Sequence, residues 1–351
     1  AITLQEDVEG FLYPATDENL CINCGLCRKV CAFTQTKQKI GSLEIYAARH
    51  KDIDVLKESS SGGVFTAISD EILAQSGVTY GAGFDENFLV CHQRATDLKA
   101  RNRLRGSKYV QSRLGDTYRK AKEDLEQGSP VLFSGTPCQN AGLTSYLKHQ
   151  MVDTSKLLQC DLVCHGVPSP TLWKRYIEYL QNRYNGKITE FCFREKRNNW
   201  KEMHSRVHIE EKDISTYCNK TVSFYNLYKT LYIVRPSCFK CPFTNMSRPS
   251  DLTMADFWNL EKSKPDFDDT MGVSLVLVNS EKGRRIFDKI KNRLFFELSN
   301  KEECWQPHLE YPNPEPLGRK KFWKEYSENG FDFIIKKYGK GNLSYRIKRS
   351  L

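Results

Sequence analysis

The sequence predicts a mixed α/β (α+β) protein, with a short cysteine-rich N-terminal module followed by a mixed-sheet domain. Three observations predict it. Four cysteines crowd into "CINCGLCRKVC", residues 21–31. From residue 41 onward, short β-branched and aromatic runs alternate with stretches of helical periodicity. Glycine, proline and serine clusters punctuate the two kinds of segment.

In chain order, "EIYAARH" (44–50) reads as a strand. "ESSSGGVFTAISDEILAQSG" (58–77) reads as a polar glycine loop opening a helix, with Val64, Ile68 and Ile72 on one face and Gly77 stopping it. Strand-like "VTYGAGF" (78–84), "FLVCHQRAT" (88–96) and "SKYVQS" (107–112) follow, then a helix over 115–127. "PVLFSGTPCQNAGLTSYL" (130–147) is strand, turn and helix, and "KLLQCDLVCHGVPSP" (156–170) is strand into loop. An amphipathic helix is predicted over 171–184, strands at 190–196 and 205–211, and a helix across 223–233. "PSCFKCPF" (236–243) is a loop, "DLTMADFW" (251–258) a strand, and "VSLVLVN" (273–279) a buried strand leading to a helix over 281–292. The expected divisions are residues 1–40, 41–128, 129–300 and a basic extension over 301–351.

With 351 residues, 39% hydrophobic and 27% charged, the chain can bury two or three cores. No apolar run nears the ~20 residues needed to span a bilayer, and the N-terminus carries no basic-then-apolar signal. Thirteen cysteines, an odd number, therefore read as metal ligands and reduced thiols of a cytoplasmic protein. The net charge of +10 is concentrated: residues 318–351 hold ten Lys or Arg against three acids, and residues 99–122 hold nine against one. No nucleic-acid module accompanies it, so the C-terminal charge reads as a solvated surface or a dock for an acidic partner.

The spacing C-x-x-C-x-x-C-x-x-x-C of Cys21, Cys24, Cys27 and Cys31 suits iron–sulfur ligation. Three close thiolates wrap one corner of a cubane, while the fourth opens a short helix and points away. Gly25 lets the intervening backbone turn. A zinc knuckle wants two separated pairs or histidines, which are not nearby. "AITLQEDVEGFLYPATDENLCINCGLC" resembles the second half of a two-cluster ferredoxin. The expectation is that a further cysteine run precedes Ala1. Cys21, Cys24 and Cys27 then hold one 4Fe-4S cluster with a cysteine of that run, and Cys31 serves the second. Without such a run all four hold a single cluster.

The blocks "SSSGGVFTAI", "SKYVQS", "GTPCQNAGL", "DLVCHGVPSP", "RPSCFKCPF" and "SDLTMADFW" occur in the order carried by the coenzyme F-420 hydrogenase/dehydrogenase beta-subunit family, over roughly residues 44 to 280. The chain resembles that family's bacterial branch, with its N-terminal ferredoxin module. The resemblance implies a flavin-binding mixed-sheet domain, FAD, 4Fe-4S clusters, and electron passage between clusters, flavin and a reducible substrate. Ferredoxin or another electron-transfer protein is the implied partner.

Beside that resemblance, Cys138 in a strand-to-helix turn, Cys164 in a strand-to-loop turn, and Cys238 with Cys241 in a C-x-x-C loop suit an internal 4Fe-4S cluster or a four-cysteine zinc site. Cys160 falls on the core phase of its strand, and Cys91, Cys192, Cys218 and Cys304 stand alone. The loop Ser60, Ser61, Gly62 and Gly63 at a helix N-terminus offers amides to a diphosphate, or else simple capping. Arg101, Arg103 and Arg105 share a face if extended, with Lys108 and Tyr109 just beyond, and such a face can receive phosphate or a reduced flavin. Gly135 and Thr136, at a strand end, approach the same flavin. His165 is a candidate proton donor or a structural hydrogen-bonder. Arg194 and Lys196 face an anionic small-molecule substrate or belong to a solvated strand end. The alternatives are an electron-transfer subunit whose substrate site lies on a partner, and a zinc-holding nucleic-acid binder. Self-association is left open.

Overall fold

The computed structural model describes residues 1–34, 41–197, 199–201, 204–215 and 223–340. Cys218 lies outside the described residues. The chain opens with a hairpin of β1 (Ile2–Glu6) and β2 (Leu12–Thr16), paired antiparallel with Ile2 opposite Thr16. The cysteine loop follows, and Gly25, at φ +70°, starts the Leu26–Val30 helix, so Cys31 closes this short helix and does not open one. This segment docks on the body: the Ser145 hydroxyl donates to Val30 O at 2.8 Å, and Phe33 meets Phe243 edge-on at 5.3 Å.

The body is an eight-stranded sheet. Its strands are β3 (Glu44–His50), β4 (Val78–Phe84), β5 (Val90–Ala95), β6 (Val131–Gly135) and β7 (Leu157–Leu162). A separate three-stranded antiparallel sheet of β8 (Ile188–Glu195), β9 (His204–Ile209) and β10 (Lys212–Asp213) intervenes. The main sheet is completed by β11 (Leu252–Asp256), β12 (Ser274–Val278) and β13 (Leu294–Ser299). The order across it is β13-β3-β12-β11-β7-β6-β4-β5. Strands β4, β6, β7 and β11 run parallel to their neighbours in that block, and the flanking pairs are antiparallel.

Alternation explains the layers. Leu132, Leu158, Val276 and Tyr46 point to one face, where the Val64–Ala74 and Glu281–Ile290 helices cover them through Ile68, Ile72 and Phe287. Val131, Phe133 and Leu157 point to the other, under Ala121, Leu125, Leu143 and Leu147 of the Thr117–Glu126 and Pro137–His149 helices. A second aromatic core joins the Pro170–Tyr184 and Ser223–Lys229 helices and the three-stranded sheet around Trp173, Phe191 and Phe224. No helix among the described residues is long and apolar enough to cross a membrane.

Three local expectations change. "SKYVQS" is not a strand, because its backbone bonds go to separate neighbours: Ser107 N to the Ser60 hydroxyl, and Gln111 N to Pro168 O. Arg101, Arg103 and Arg105 do not share an extended face, since Asp97 caps a Leu98–Asn102 helix that turns Arg101 inward. There Arg101 pairs with Asp70 at 2.7 Å and bonds Ser69 and Thr66 O, so it anchors the Val64–Ala74 helix. The helix expected over 223–233 ends at Lys229, and Leu231 has φ +62°.

Candidate functional site

The parallel strands end together, and the cavities open there, as in open α/β sheets where ligands lie outside the carboxyl ends. At the end of β6 the chain passes through Gly135 into Thr136, which caps the Pro137–His149 helix. The Gln139 side chain accepts from Thr136 N at 2.9 Å and from its hydroxyl at 3.0 Å, and Pro137 sets the first turn. Cys138 is thereby held at the helix start, 3.1 Å from the Thr136 hydroxyl. At the end of β7, Leu162 leads directly into Cys164 and His165.

A first cavity, of about 310 Å³, is lined by Ser60, Ser61, Gly63, Arg105, Lys108, Tyr109, Gly135, Thr136 and His165. Those nine sequence candidates therefore converge. Gly62 lies behind the surface: a Cβ there would fall 2.3 Å from Ala48 O and 2.6 Å from Ser274 N. Gly63, at φ +78°, turns the chain into the Val64–Ala74 helix, whose first amides have no intrahelical acceptor. The loop is pinned by Gly62 N to the Ser274 hydroxyl at 2.9 Å and by Ser61 Oγ to Val273 O at 3.1 Å.

Cations predominate on this lining. Arg105 has no carboxylate partner among the described residues, and its Nε is buried without a hydrogen bond. Among the described residues Lys108 donates only to main-chain oxygens, Arg105 O at 2.6 Å and Arg103 O at 3.2 Å, and burial pushes its ammonium down to about 8. Arg194 is buried rather than solvated, paired with Asp256 at 2.5 Å and donating to Trp200 O. Lys196 is not at a solvated strand end either; it donates to Leu56 O and Ser61 O. An anionic group is what this lining leaves unsatisfied, and a diphosphate at the Ser60–Gly63 turn fits the donors present.

A second cavity, of about 370 Å³, lies back to back with the first. Cys138, Cys164, Cys238 and Cys241 all line it, and the two cavities share Thr136, Gln139 and Cys164–Val167 as a common wall. Burial pushes the Cys138 and Cys164 thiols up and Cys238 to about 12, with neighbouring thiols of the same four adding to the effect. A positive occupant would be needed to hold them as thiolates. Among the described residues no three His, Cys, Asp or Glu converge tightly enough for one metal ion. Cys160 is fully buried in the sheet core, away from this cavity, as its strand phase implies. His165 stacks on His308 with centroids 3.8 Å apart; burial, then His308, pushes it down to about 3, leaving a neutral ring.

The N-terminal cysteines do not line either cavity. Cys24 and Cys27 are exposed and Cys21 and Cys31 half-buried, but Tyr13 and Phe33, from either side of that loop, wall the second cavity. Arg235 lies over the Tyr13 ring at 4.1 Å and donates to Leu12 O, joining the hairpin to the Cys238 loop. Sequence reasoning missed Arg248, which spans the loops behind Cys164 and Cys241, and His92, whose ring bonds Ser112 and Ser134 O. His92 could be singled out as a polar residue within the predicted strand 88–96, whereas Arg248, in the polar run 244–251, carried no such signal.

Comparison with known proteins gives three findings. Over residues 128–303 the chain matches the family model for the C terminus of the coenzyme F-420 hydrogenase/dehydrogenase beta subunit. Among solved structures it is similar to a chain of the xenon-derivatized F-420-reducing NiFe hydrogenase complex from Methanosarcina barkeri, with 18% identity, 86% of this chain and 94% of that chain covered, and a TM-score of 0.51. No curated protein matches. The family model spans half of the chain, and the structural likeness extends the same fold over most of the remainder; this protein belongs to the coenzyme F-420 hydrogenase/dehydrogenase beta-subunit family.

Proposed function

We propose that the chain is an iron–sulfur flavoprotein oxidoreductase that passes electrons between 4Fe-4S clusters and FAD, and between FAD and a reducible small molecule. The observation that carries this reading is the pair of cavities back to back, one walled by four cysteines and one by unpaired cations and a glycine turn, with Cys164 in the common wall. Cys138, Cys164, Cys238 and Cys241 would hold the internal cluster. All four line the second cavity together. Cys21, Cys24, Cys27 and Cys31 would serve the ferredoxin-type cluster or clusters. Ser60, Ser61, Gly62, Gly63 and Arg105 would hold the diphosphate, with Lys108, Tyr109, Gly135 and Thr136 toward the ring.

When bound, flavin joins one-electron and two-electron chemistry, and the clusters carry single electrons. The chain's own residues set the conditions. Lys108 places a cation where a reduced, anionic ring would gain from it. The Thr136–Gln139 capping box holds Cys138 against the common wall. His165 lines both cavities from the common wall, and its neutral ring suits the hydrogen-bonding role rather than that of proton donor.

Anaerobic purification followed by iron, sulfide and flavin analysis tests the reading; protein lacking both iron and flavin after reconstitution would refute it. A second reading, an electron-transfer subunit with its substrate site on a partner, is favoured by the likeness to a chain of a hydrogenase complex. Dithionite-reduced protein that candidate substrates alone fail to reoxidise, but that a ferredoxin or partner protein does reoxidise, would select it.

A further inference from the structure

Lys196 lies just past β8, in the three-stranded sheet, yet its ammonium reaches across to the glycine turn of the main body. It donates to Ser61 O at 2.5 Å and to Leu56 O at 2.8 Å. It does not line the first cavity, whereas Ser61 does. Leu56 and Ser61 bracket the segment that leaves the Ile53–Lys57 helix and enters the turn, so one side chain closes that segment into a loop. A carbonyl bound to an ammonium is also a carbonyl turned away from the cavity, where it would repel a phosphate.

We propose that Lys196 is a positioning residue for the anion end of the first cavity: from behind, it pins the Ser59–Gly63 turn in its ligand-receiving shape and adds positive potential there. The proposal rests on the reading that this cavity takes the FAD diphosphate.

The charged groups around Lys196 are accounted for. Arg194, on its own strand, is paired with Asp256 of β11. Asp269, from the loop before β12, is paired with Arg49 of β3, and Glu58, beside the turn, lies 3.4 Å from Arg206 of β9. No carboxylate among them is left to neutralise Lys196 directly. Burial and then Arg194 push its ammonium down to about 7, against weaker upward pulls from Asp256 and Asp269. A bound dianion pulls the other way. Binding at pH above that value therefore draws a proton onto Lys196, and binding weakens as the pH rises.

The test is titration of the apoprotein with FAD, and separately with inorganic pyrophosphate, between pH 6 and 9, with proton uptake read by calorimetry in buffers of different ionisation heat. In the native chain the FAD dissociation constant should rise about tenfold across this range, the size of one charge interaction. Lys196→Met should bind about tenfold more weakly at pH 6.5, with a smaller rise and less proton uptake than the native chain, only the Lys108 share remaining. Lys196→Arg, which keeps a charge that does not titrate, should match native strength at pH 6.5 and bind more tightly than the native chain at pH 9. Lys108, which also titrates in this cavity, is common to all three proteins and cancels in the comparison. Equal affinities and equal pH profiles in native and Lys196→Met protein would overturn the proposal. Should Lys196→Met fail to fold, a Lys196→Arg profile as steep as the native one would overturn it equally. A native chain that binds neither FAD nor pyrophosphate would instead remove the flavin reading, and this proposal with it.

Discussion

Replacing Arg248 by Met removes the guanidinium that holds two cysteine loops together. Its side chain and that of Asp161 are 1% and 0% exposed, and they meet at 2.8 Å. The same guanidinium donates to Leu162 O at 2.8 Å, two residues before Cys164, and to Phe243 O at 3.2 Å, two residues after Cys241. Further bonds reach Thr253 Oγ1 and Asn245 O, both at 3.3 Å. Arg248→Met leaves a buried carboxylate without its counter-ion and opens those carbonyls, which costs about 3–5 kcal/mol. That is a large share of the roughly 5–15 kcal/mol by which a domain is stable. Urea unfolding of the apoprotein, followed by the buried Trp173 and Trp200, measures it without cofactors intervening. Burial already raises the Asp161 carboxyl, and Arg248 opposes that rise. In Arg248→Met the folded-state value rises further above the unfolded one, so the variant regains stability as the pH falls. The double variant Arg248→Met/Asp161→Leu should recover most of the loss, because it strands no charge. A single variant within about 1 kcal/mol of native, or a double variant no better than the single, would refute this account of the clamp.

Cys164→Ala should lose iron from the reconstituted protein, whereas Cys160→Ala, four residues away in the sheet core, should keep it; iron and sulfide assays decide, and equal iron in both would mean that Cys164 is not a ligand. Lys108→Met should gain about 1–2 kcal/mol at pH 7, because the folded chain holds that proton at about 8 against 10.5 unfolded; the native protein gains stability between those values as the pH rises and the variant does not, which unfolding at stepped pH will show. With FAD bound, the same substitution should lower the two-electron potential by roughly 30–60 mV, read by potentiometry, while an unchanged potential with weaker FAD binding would move Lys108 to the phosphate end. Gly62→Ala should cost about 1–3 kcal/mol in thermal or urea unfolding, since its Cβ would press on main-chain atoms at 2.3 and 2.6 Å that cannot rotate away.

Residues whose role is written in their neighbours along the chain were legible. Gly25 and Gly63 take the left-handed turns their positions implied, and Val64, Ile68 and Ile72 bury the face that their spacing implied. Thr136, Pro137 and Gln139 form a cap within four residues, so the placement of Cys138 could be read locally. What failed depended on distant partners. The direction of Arg101 is decided by Asp70 on another helix, and that of Lys196 by two carbonyls about 135 to 140 residues earlier. The edge strand β13 escaped because its pairing with β3 is a tertiary choice, and Phe295 and Leu298 remain exposed on it. The Arg319–Tyr338 helix looked like basic surface, yet it turns Phe322, Ile334 and Ile335 into the aromatic core.

The first of that helix's residues has a consequence for how the protein is made. Arg319 is buried against Glu9, with Nη1 at 2.6 Å from Oε1, and it also donates to Val234 O. Before residue 319 has been synthesised, Glu9 has no counter-ion in its docked position, and seating it there would bury a bare carboxylate at a cost of several kcal/mol. The hairpin that leads into Cys21 therefore waits on a partner 310 residues further along. At ~5–20 residues per second that interval is roughly 15 to 60 s. Throughout it the Cys21–Cys31 segment has been made but lacks the docked hairpin beside it. Synthesis of that segment and docking of the hairpin before it are thus separated in time, in an order set by the position of a single arginine.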